Sequence, residues 1–389
     1  MRYRNIERGN LLVSEIGMGC EGLLDPSLDL KHLLDEVSEK GVNCIDLYSP
    51  DPGMRKRLGE ALVGRRDRYV IQGHLCAVWK DGQYKRTRDI EEVKQGFQEM
   101  LELLQTNYID IGMIHYIDAE KDWNEVAQGG IMEYALQLKQ QGIIRCIGMS
   151  SHNPLVALQA VDSGLIDVLM FSINPCYDLM PANEDVNELW NEDNYQDALH
   201  MDKDRELLYD TCQKQGVAIT VMKAFGGGDL LDQELSPTKT ALSVHQCMHY
   251  ALTRPAVVSV MVGSKSMNEF MDCIAYEEAD EKDKDYAMAL ASMPKVSWLG
   301  HCMYCGHCAP CPKGISVADV TKFLNLAKAA HGIPETVREH YAVLEHKASE
   351  CIQCGMCETR CPFQVSIMEN MKEAAQLFEA SQDGKVIGR

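Results

Sequence analysis

Eight cysteines near the end of the chain have the spacing of ligands to metal clusters. They form two runs of four thiols, and each run ends in Cys-Pro. The first run comprises Cys302, Cys305, Cys308 and Cys311, and the second comprises Cys351, Cys354, Cys357 and Cys361. Three closely spaced thiolates can surround one iron–sulfur cube, and the proline turns the chain so that the fourth thiol reaches a different cluster. The spacing therefore predicts two [4Fe–4S] clusters that exchange their fourth ligands.

The exchange defines two predicted ligand sets. One cluster takes Cys302, Cys305, Cys308 and Cys361, and the other takes Cys351, Cys354, Cys357 and Cys311. Zinc and disulfides are the alternatives. Zinc usually has four ligands in two pairs, and disulfide scaffolds are usually small and secreted. Two runs of four thiols in a chain of 389 residues favour the clusters.

The composition is that of a folded and acidic protein. Hydrophobic residues make up 46% of the chain and charged residues 25%, with a formal net charge of −20. The acidic excess disfavours nucleic acid and anionic membranes as partners. The sequence lacks a long apolar run and a signal-peptide core, so we expect a cytoplasmic protein without a membrane span. The oxygen sensitivity of such clusters suggests an anaerobic host.

Short apolar runs alternate with amphipathic helical patterns along residues 1–290. The runs of strand length are Glu15–Cys20, Val42–Leu47, Tyr69–Gln72, Ile109–His115, Ile144–Met149, Asp167–Ile173, Val217–Met222 and Val257–Val262. Strand–helix alternation implies parallel strands with crossover helices. Eight repeats predict an α/β protein with a (β/α)8 TIM barrel. A hairpin of Arg2–Ile6 and Leu11–Ser14 is expected before it.

The alternation of strands and helices is interrupted at two places, and the second interruption suggests two domains. Residues 178–202 are long, acidic and irregular, which is typical either of a functional loop or of a solvated insertion. Residues 281–297 have the pattern of a linking helix. We therefore predict a barrel over residues 1–290 and a small α+β, bacterial-ferredoxin-like iron–sulfur domain over residues 291–389.

Several motifs at the ends of predicted strands, just after them or in the helix that follows resemble those of the aldo/keto reductases. They are Cys44-Ile-Asp46, Leu58-Gly59-Glu60-Ala61-Leu62, Asp110-Ile-Gly-Met-Ile-His115, Gly148-Met-Ser150, Gly226-Gly-Gly228 and Val262-Gly263-Ser-Lys265. The cysteine-rich tail makes the chain similar to the branch of that family with a fused two-cluster domain. The resemblance implies NAD(P)H-dependent carbonyl chemistry by an Asp, Tyr, Lys and His tetrad at the C-terminal rim of the barrel.

Only half of that tetrad is retained. Asp46 and His115 stand at the family's Asp and His positions, whereas Asp51 replaces the Tyr and His74 replaces the Lys. The acid could then be Asp51 with a pKa raised by burial, or a cationic His74 beside carboxylates. Tyr48, three residues before Asp51, is a further candidate that supplies a phenol from a shifted position.

The resemblance also implies residues that bind a nicotinamide cofactor. Ser150 and Asn174 match the residues that contact its amide group, and Lys265 is placed for the 2′-phosphate of NADP(H). The glycine-rich segments could approach a pyrophosphate closely, and the glycines concerned are Gly226, Gly227, Gly228 and Gly263.

Lys223 stands where the family usually has an aromatic platform. We expect it to be a phosphate or substrate anchor, a second acid, or simply an exposed loop residue.

Three functions remain open from the sequence. The first is an oxidoreductase that reduces or oxidises a small organic substrate with electrons from NAD(P)H, the clusters or both. A flavin, an external ferredoxin or a flavoprotein could mediate, because clusters carry single electrons and a nicotinamide delivers a hydride. The second is a lyase or isomerase with structural clusters. The third is a regulatory module that has lost catalysis.

Overall fold

Eight parallel strands form the body of the N-terminal part of the protein. The computed structural model describes residues 1–179, 202–236, 241–286, 302, 308–329, 333, 335–361 and 364–379. The strands are β1 (Tyr3–Ile6), β2 (Leu11–Ser14), β3 (Ile16–Gly19), β4 (Cys44–Leu47), β5 (Val70–Leu75), β6 (Ala77–Lys80), β7 (Gln83–Arg86), β8 (Ile109–Ile114), β9 (Ile144–Ser151), β10 (Val168–Ser172), β11 (Ala218–Met222) and β12 (Val257–Val262). A closed barrel runs in the order β3, β4, β5, β8, β9, β10, β11 and β12. The barrel prediction is confirmed, and each of the eight predicted runs supplies one barrel strand.

The predicted N-terminal hairpin is also present. Strands β1 and β2 pair antiparallel, with Tyr3 opposite Ser14 and Ile6 opposite Leu11. Ile6 and Leu11 are buried in the same apolar cluster as Ile111 and Met113 of the barrel interior. The hairpin therefore closes one end of the barrel and leaves chemistry to the other end, where the strands finish.

Helices cover the outside of the barrel. They are α1 (Leu30–Glu39), α2 (Pro52–Leu62), α3 (Ile90–Leu103), α4 (Glu120–Gln128), α5 (Gly130–Gln140), α6 (Pro154–Asp162), α7 (Lys203–Gln215), α8 (Val244–Leu252), α9 (Met267–Ile274) and α10 (Glu281–Lys284). Polar N-caps start many of them; Asp89, for example, accepts hydrogen bonds from the first turn of α3. At Gly59 of α2 a Cβ would come within 2.2 Å of the Leu103 carbonyl oxygen, so this contact with the end of α3 requires glycine.

A second hairpin lies where no element is expected from the sequence. Strands β6 and β7 pair antiparallel with Lys80 opposite Gln83, so the connection is the dipeptide Asp81-Gly82. Both turn residues have positive φ, 53° and 75°, which is the backbone of a type I′ turn. The hairpin directly follows barrel strand β5 and extends the chain at the C-terminal end of that strand.

The chain divides into two compact units, and the first contains the barrel. The second contains Gly226–Leu242 together with the residues from 291 onward. This division falls near residue 290 and groups Gly226–Leu242 with the C-terminal residues; the domain boundaries predicted from the sequence stay a prediction. Among the described residues of the second unit, the helices α11 (Val317–Ala329), α12 (Glu335–Ala342), α13 (Met356–Thr359) and α14 (Ile367–Phe378) occur and strands do not.

Two predicted segments are only partly described. Of the expected linking helix 281–297, the described part contains α10, and the rest lies outside the described residues. Of the irregular segment 178–202, only its ends are described. The Asp178 carbonyl oxygen there accepts a 2.7 Å hydrogen bond from the Asp202 backbone nitrogen. Within the described ranges, no helix is long and apolar enough to cross a membrane.

Candidate active site and metal centre

Side-chain alternation brings three predicted site residues to one point in the barrel. Successive residues of a strand face opposite sides of a sheet. Cys44, Val70 and Ile111 face the barrel interior, so residues an even number further along each strand do so too. Asp46, His74 and His115 are such residues. They lie at the C-terminal ends of the adjacent strands β4, β5 and β8.

The three residues form a continuous hydrogen-bond chain. His74 Nε2 lies 2.9 Å from Asp46 Oδ1, and His74 Nδ1 lies 2.7 Å from His115 Nδ1. Gln72 Nε2 also donates to Asp46 Oδ1 at 3.0 Å. The side chains of His74 and Asp46 are only 1% and 2% exposed, so the charged end of the chain is shielded from water.

The hydrogen-bond chain ends at a tyrosine that was not predicted from the sequence. Tyr84 Oη lies 2.7 Å from His115 Nε2. Tyr84 belongs to β7, and the β6–β7 hairpin carries it back to the mouth of the barrel. The residue is 37% exposed, so its phenol can be reached from solvent. The dipeptide Asp81-Gly82 was the available signal, because it is a strong marker of a hairpin.

The hydrogen-bond chain can be satisfied in two ways. A carboxylate only accepts, so His74 Nε2–H donates to Asp46 in both. With both histidines neutral, His115 Nδ1–H donates to His74 Nδ1, and the Tyr84 hydroxyl donates to His115 Nε2. With a proton added at His74, the direction reverses: His74 Nδ1–H donates to His115, and His115 Nε2–H donates to Tyr84 Oη. The phenol proton then becomes available to a substrate.

The electrostatic surroundings keep His115 neutral and Tyr84 protonated. Burial is the main cause that holds the pKa of His115 well below its ordinary value, followed by electrostatic interactions with His74, Arg86 and Arg88. Burial raises the pKa of Tyr84 to about 12, so the phenol keeps its proton at neutral pH. A phenol next to a neutral imidazole can act as a proton donor, because the imidazole can return a proton to the phenol after the transfer.

The other candidate acids have different surroundings. Asp51 is the N-cap of α2, and its Oδ1 accepts a 2.6 Å hydrogen bond from the Met54 backbone nitrogen. This capping contact is a structural reason for an acid at this position. Tyr48 is half-buried, and burial followed by the charges of Cys20, Glu21 and Asp46 raises its pKa well above the ordinary value.

Two residues predicted to bind the nicotinamide amide also hold rim loops in place. Ser150 Oγ accepts a 2.8 Å hydrogen bond from the Tyr116 backbone nitrogen. Asn174 is buried; its Nδ2 donates to the Lys223 carbonyl oxygen at 2.9 Å, and its Oδ1 accepts from the Cys176 and Tyr177 backbone nitrogens. The Ser150 hydroxyl hydrogen and the second amide hydrogen of Asn174 are not used in these contacts, and the role of both residues at the cofactor stays a prediction.

The remaining cofactor candidates divide between the two units. Gly226, Gly227 and Gly228 have φ of 60°, 78° and 107°, a backbone that favours glycine, and they belong to the second unit. At Gly263 of the barrel unit, a Cβ would lie 2.9 Å from Glu21 Oε2. The backbone nitrogen of Lys265 donates to Glu269 Oε2 at 2.8 Å. The role of Lys265 at a 2′-phosphate stays a prediction.

Four of the predicted cluster ligands surround one cavity. Cys311, Cys351, Cys354 and Cys357, the set predicted for the second cluster, line a cavity of about 350 Å³ that includes space open to solvent. Ile315, Val317 and Met371 provide apolar walls. Three neighbouring thiols together with the distant Cys311 are the arrangement predicted from the spacing. The thiol donors and their apolar surroundings are of the kind that an iron–sulfur cluster takes. Among the described residues, no three His, Cys, Asp or Glu side chains stand close enough together to hold a single metal ion.

Backbone conformation adapts this cavity to its ligands. Gly355 has a φ of 73°, and the Gln353 backbone nitrogen lies 3.4 Å from Cys351 Sγ, within hydrogen-bond range for sulfur. Of the other predicted set, Cys302, Cys308 and Cys361 are described and form no disulfide with another described cysteine, and Cys305 lies outside the described residues.

Comparisons with known proteins agree with these observations. Residues 26–243 match the aldo/keto reductase family, and residues 298–365 match the 4Fe-4S dicluster domain. The uncharacterized oxidoreductase YqkF of Bacillus subtilis is 27% identical over 311 residues, which cover 76% of this chain and 97% of that protein. The aldo-keto reductase YhdN of the same organism is 25% identical over 190 residues, covering 46% of this chain and 54% of its own.

A solved structure supports the fold. The holo form of aldo-keto reductase AKR11C1 from Bacillus halodurans aligns with a TM-score of 0.57 and 22% identity, over 76% of this chain and 98% of that chain. At this level of identity the structural match establishes the barrel architecture alone.

Proposed function

The chain belongs to the aldo/keto reductase family, and on that basis we propose that it interconverts a carbonyl and a hydroxyl group with Tyr84 as the proton donor. Family membership and the dicluster domain make it an oxidoreductase of aldo/keto reductase type with an iron–sulfur domain. The observation that carries the proposal is the hydrogen-bond chain Asp46–His74–His115–Tyr84.

The proton path follows from the order of the four residues. In the protonated state, Tyr84 Oη gives its proton to the developing alkoxide of the substrate. His115 Nε2–H then returns a proton to Tyr84, and His74 Nδ1–H passes its proton to His115 Nδ1. His74 ends neutral and still donates Nε2–H to Asp46. The imidazolium of His74, stabilised by the Asp46 carboxylate, thus occupies the position of the family's lysine and supplies the proton.

The electrons come from cofactors that these residues would hold. We assign NADP(H) or NAD(H) to the barrel rim, near Ser150, Asn174, Gly263 and Lys265, where it would supply a hydride. The cavity with Cys311, Cys351, Cys354 and Cys357 would hold a [4Fe–4S] cluster, which stores and passes single electrons. An external ferredoxin or flavoprotein is the proposed partner that exchanges electrons with the clusters.

Anaerobically purified holoprotein tests the proposal directly. Oxidation of NADPH and NADH is followed with a panel of aldehydes and ketones, and again with clusters reduced by dithionite as the electron source. We expect Tyr84→Phe to lower kcat by at least about 100-fold, the effect of losing a general acid. Tyr48→Phe is the matched control and should stay within about threefold of wild type.

Two results would contradict the proposal. A large loss in Tyr48→Phe with wild-type rates in Tyr84→Phe would transfer the acid to Tyr48. Conversion of a substrate without any electron donor would instead establish a lyase or isomerase with structural clusters.

A further inference from the structure

Arg86, a cation at the mouth of the barrel, has no carboxylate partner among the described residues. Its neighbours on and after the β6–β7 hairpin are neutralised, since Lys85 pairs with Glu92 and Arg88 pairs with Asp122. Arg86 makes no ion pair with any described carboxylate, although the chain has 58 acidic and 38 basic residues. In so acidic a protein, an arginine that forms no ion pair within the described part of the chain and lies beside the proton-transfer residues suggests a function.

Arg86 is held in position by a tyrosine at the end of a barrel strand. Its guanidinium carbon lies 4.0 Å from the centroid of the Tyr116 ring. Stacking of this kind covers a face of the guanidinium and leaves its edge, with its N–H donors, available to a planar anion.

The backbone of Tyr116 is fixed in an uncommon conformation. Its φ is 60°, which is rare for a residue with a side chain. The backbone nitrogen donates to Ser150 Oγ at 2.8 Å, and the carbonyl oxygen accepts from Arg88 Nη2 at 2.7 Å. Strained residues that are held from both sides are typical of prepared binding sites.

The same arginine acts on the proton-transfer chain. Its charge is one of the influences that lower the pKa of His115 and oppose the rise in the pKa of Tyr84. An anion bound to Arg86 would therefore lie close to the phenol that protonates the substrate. Lys223, at the end of β11, adds positive charge near His152 on the same rim.

We propose that Arg86, stacked on Tyr116, binds a carboxylate of the substrate, so that the enzyme acts on oxo acids and the corresponding hydroxy acids. This inference rests on the proposed function, because it takes Tyr84 as the group that meets the reacting oxygen. A bidentate contact between guanidinium and carboxylate gives both affinity and orientation. It would fix the distance between the anionic end of the substrate and its carbonyl group.

Binding of an inert carboxylate tests the site without turnover. Benzoate and its neutral analogue benzamide are titrated into the holoprotein by calorimetry, with and without bound NADPH. We expect benzoate to bind at least about tenfold more weakly to Arg86→Gln, the loss of one charge-assisted contact. Lys85→Gln removes the same charge from the same hairpin, at a residue already paired with Glu92, and should leave binding unchanged.

A kinetic comparison separates this inference from the function on which it rests. The ratio of kcat/KM for 4-carboxybenzaldehyde to that for its methyl ester should fall at least about tenfold in Arg86→Gln. Binding of benzoate that depends on Arg86, without turnover of any aldehyde, would support the anion site and refute the reductase. Turnover with an unchanged ratio would support the reductase and overturn the anion site.

The other source of an anion at this rim is the phosphate of the cofactor. The dissociation constant of NADPH should be unchanged in Arg86→Gln. Weaker binding of NADPH with unchanged binding of benzoate would assign Arg86 to the nucleotide and overturn the proposal.

Discussion

His74 and His115 face each other through their Nδ1 atoms at 2.7 Å, so one Nδ1 donates a hydrogen bond and the other accepts it. The contact links the buried carboxylate of Asp46 to the partly exposed phenol of Tyr84. The protonation of His74 beside Asp46 can thus decide whether the Tyr84 hydroxyl donates its hydrogen to His115 or to a substrate. Replacement of either histidine interrupts this hydrogen-bond chain, although Asp46 and Tyr84 are still present at its two ends.

We expect His74→Ala and His115→Ala each to lower turnover by at least about tenfold, because either change interrupts the resupply of the proton. Steady-state kinetics with the best carbonyl substrate measure the effect. His249→Ala is the control, since His249 also contacts a tyrosine hydroxyl, that of Tyr276 at 3.0 Å, but lies on helix α8. Wild-type rates in both rim variants would remove the histidines from the mechanism.

The pKa of His115 predicts how stability depends on pH. Burial and neighbouring cations keep His115 neutral in the folded protein, whereas the unfolded chain binds a proton near the ordinary value of about 6.5. Below that pH the unfolded state binds more protons than the folded state, so the free energy of unfolding falls as the pH falls. The contribution of His115 to the free energy of unfolding has its full value above about pH 6.5 and decreases as the pH falls below that value.

Thermal melting of the wild type and His115→Asn checks this dependence. The loss in Tm between about pH 7 and about pH 5.5 should be smaller in His115→Asn. His32→Asn changes an exposed histidine of α1 and should retain the wild-type dependence. Equal losses in all three proteins would contradict the prediction.

The exchanged cluster ligands can be tested by iron content. Cys311→Ala and Cys354→Ala should remove the same cluster and lower the iron from about eight to about four atoms per chain. Cys361→Ala should remove the other cluster, which electron paramagnetic resonance of the reduced protein distinguishes. Cys273→Ala alters a buried thiol of the barrel unit and should keep both. The prediction is wrong if Cys311 binds the cluster of Cys302, Cys305 and Cys308, or if Cys361 binds the cluster of Cys351, Cys354 and Cys357.

Lys265 is expected to distinguish the two nicotinamide cofactors. Lys265→Ala should weaken NADPH at least about tenfold and leave NADH unchanged, because only NADPH has the 2′-phosphate. Fluorescence titration gives both dissociation constants, and the exposed Lys282 of α10 provides the control variant Lys282→Ala. Unchanged affinity for NADPH would refute this placement of the adenosine phosphate.

The contact between helices α2 and α3 predicts a large effect from one methyl group. Gly59→Ala would place a Cβ 2.2 Å from the Leu103 carbonyl oxygen and should destabilise the protein by about 1–3 kcal/mol. Gly130→Ala meets its nearest neighbour, Ile90, at an ordinary 3.5 Å and should be neutral or slightly stabilising. Chemical denaturation compares the two variants, and equal stabilities would contradict the close packing of α2.

Local patterns were sufficient for the barrel and for part of the site. The eight strands, the N-terminal hairpin and the strand-end positions of Asp46, His74 and His115 follow from periodicity and chain order. Strand ends in a barrel share one rim, so residues there can be grouped before any contact is known. The role of Asp51 was harder to anticipate, because an N-cap and a catalytic acid use the same carboxylate.

The sequence by itself determined the alternation of strands and helices and the two runs of four thiols, because both depend on spacing along the chain. Only the tertiary structure decided that Tyr84 meets His115, and that Gly226–Leu242 groups with the C-terminal residues. Asp81-Gly82 marks a turn but does not say where the hairpin folds. That position depends on packing between residues far apart in sequence, which spacing does not encode.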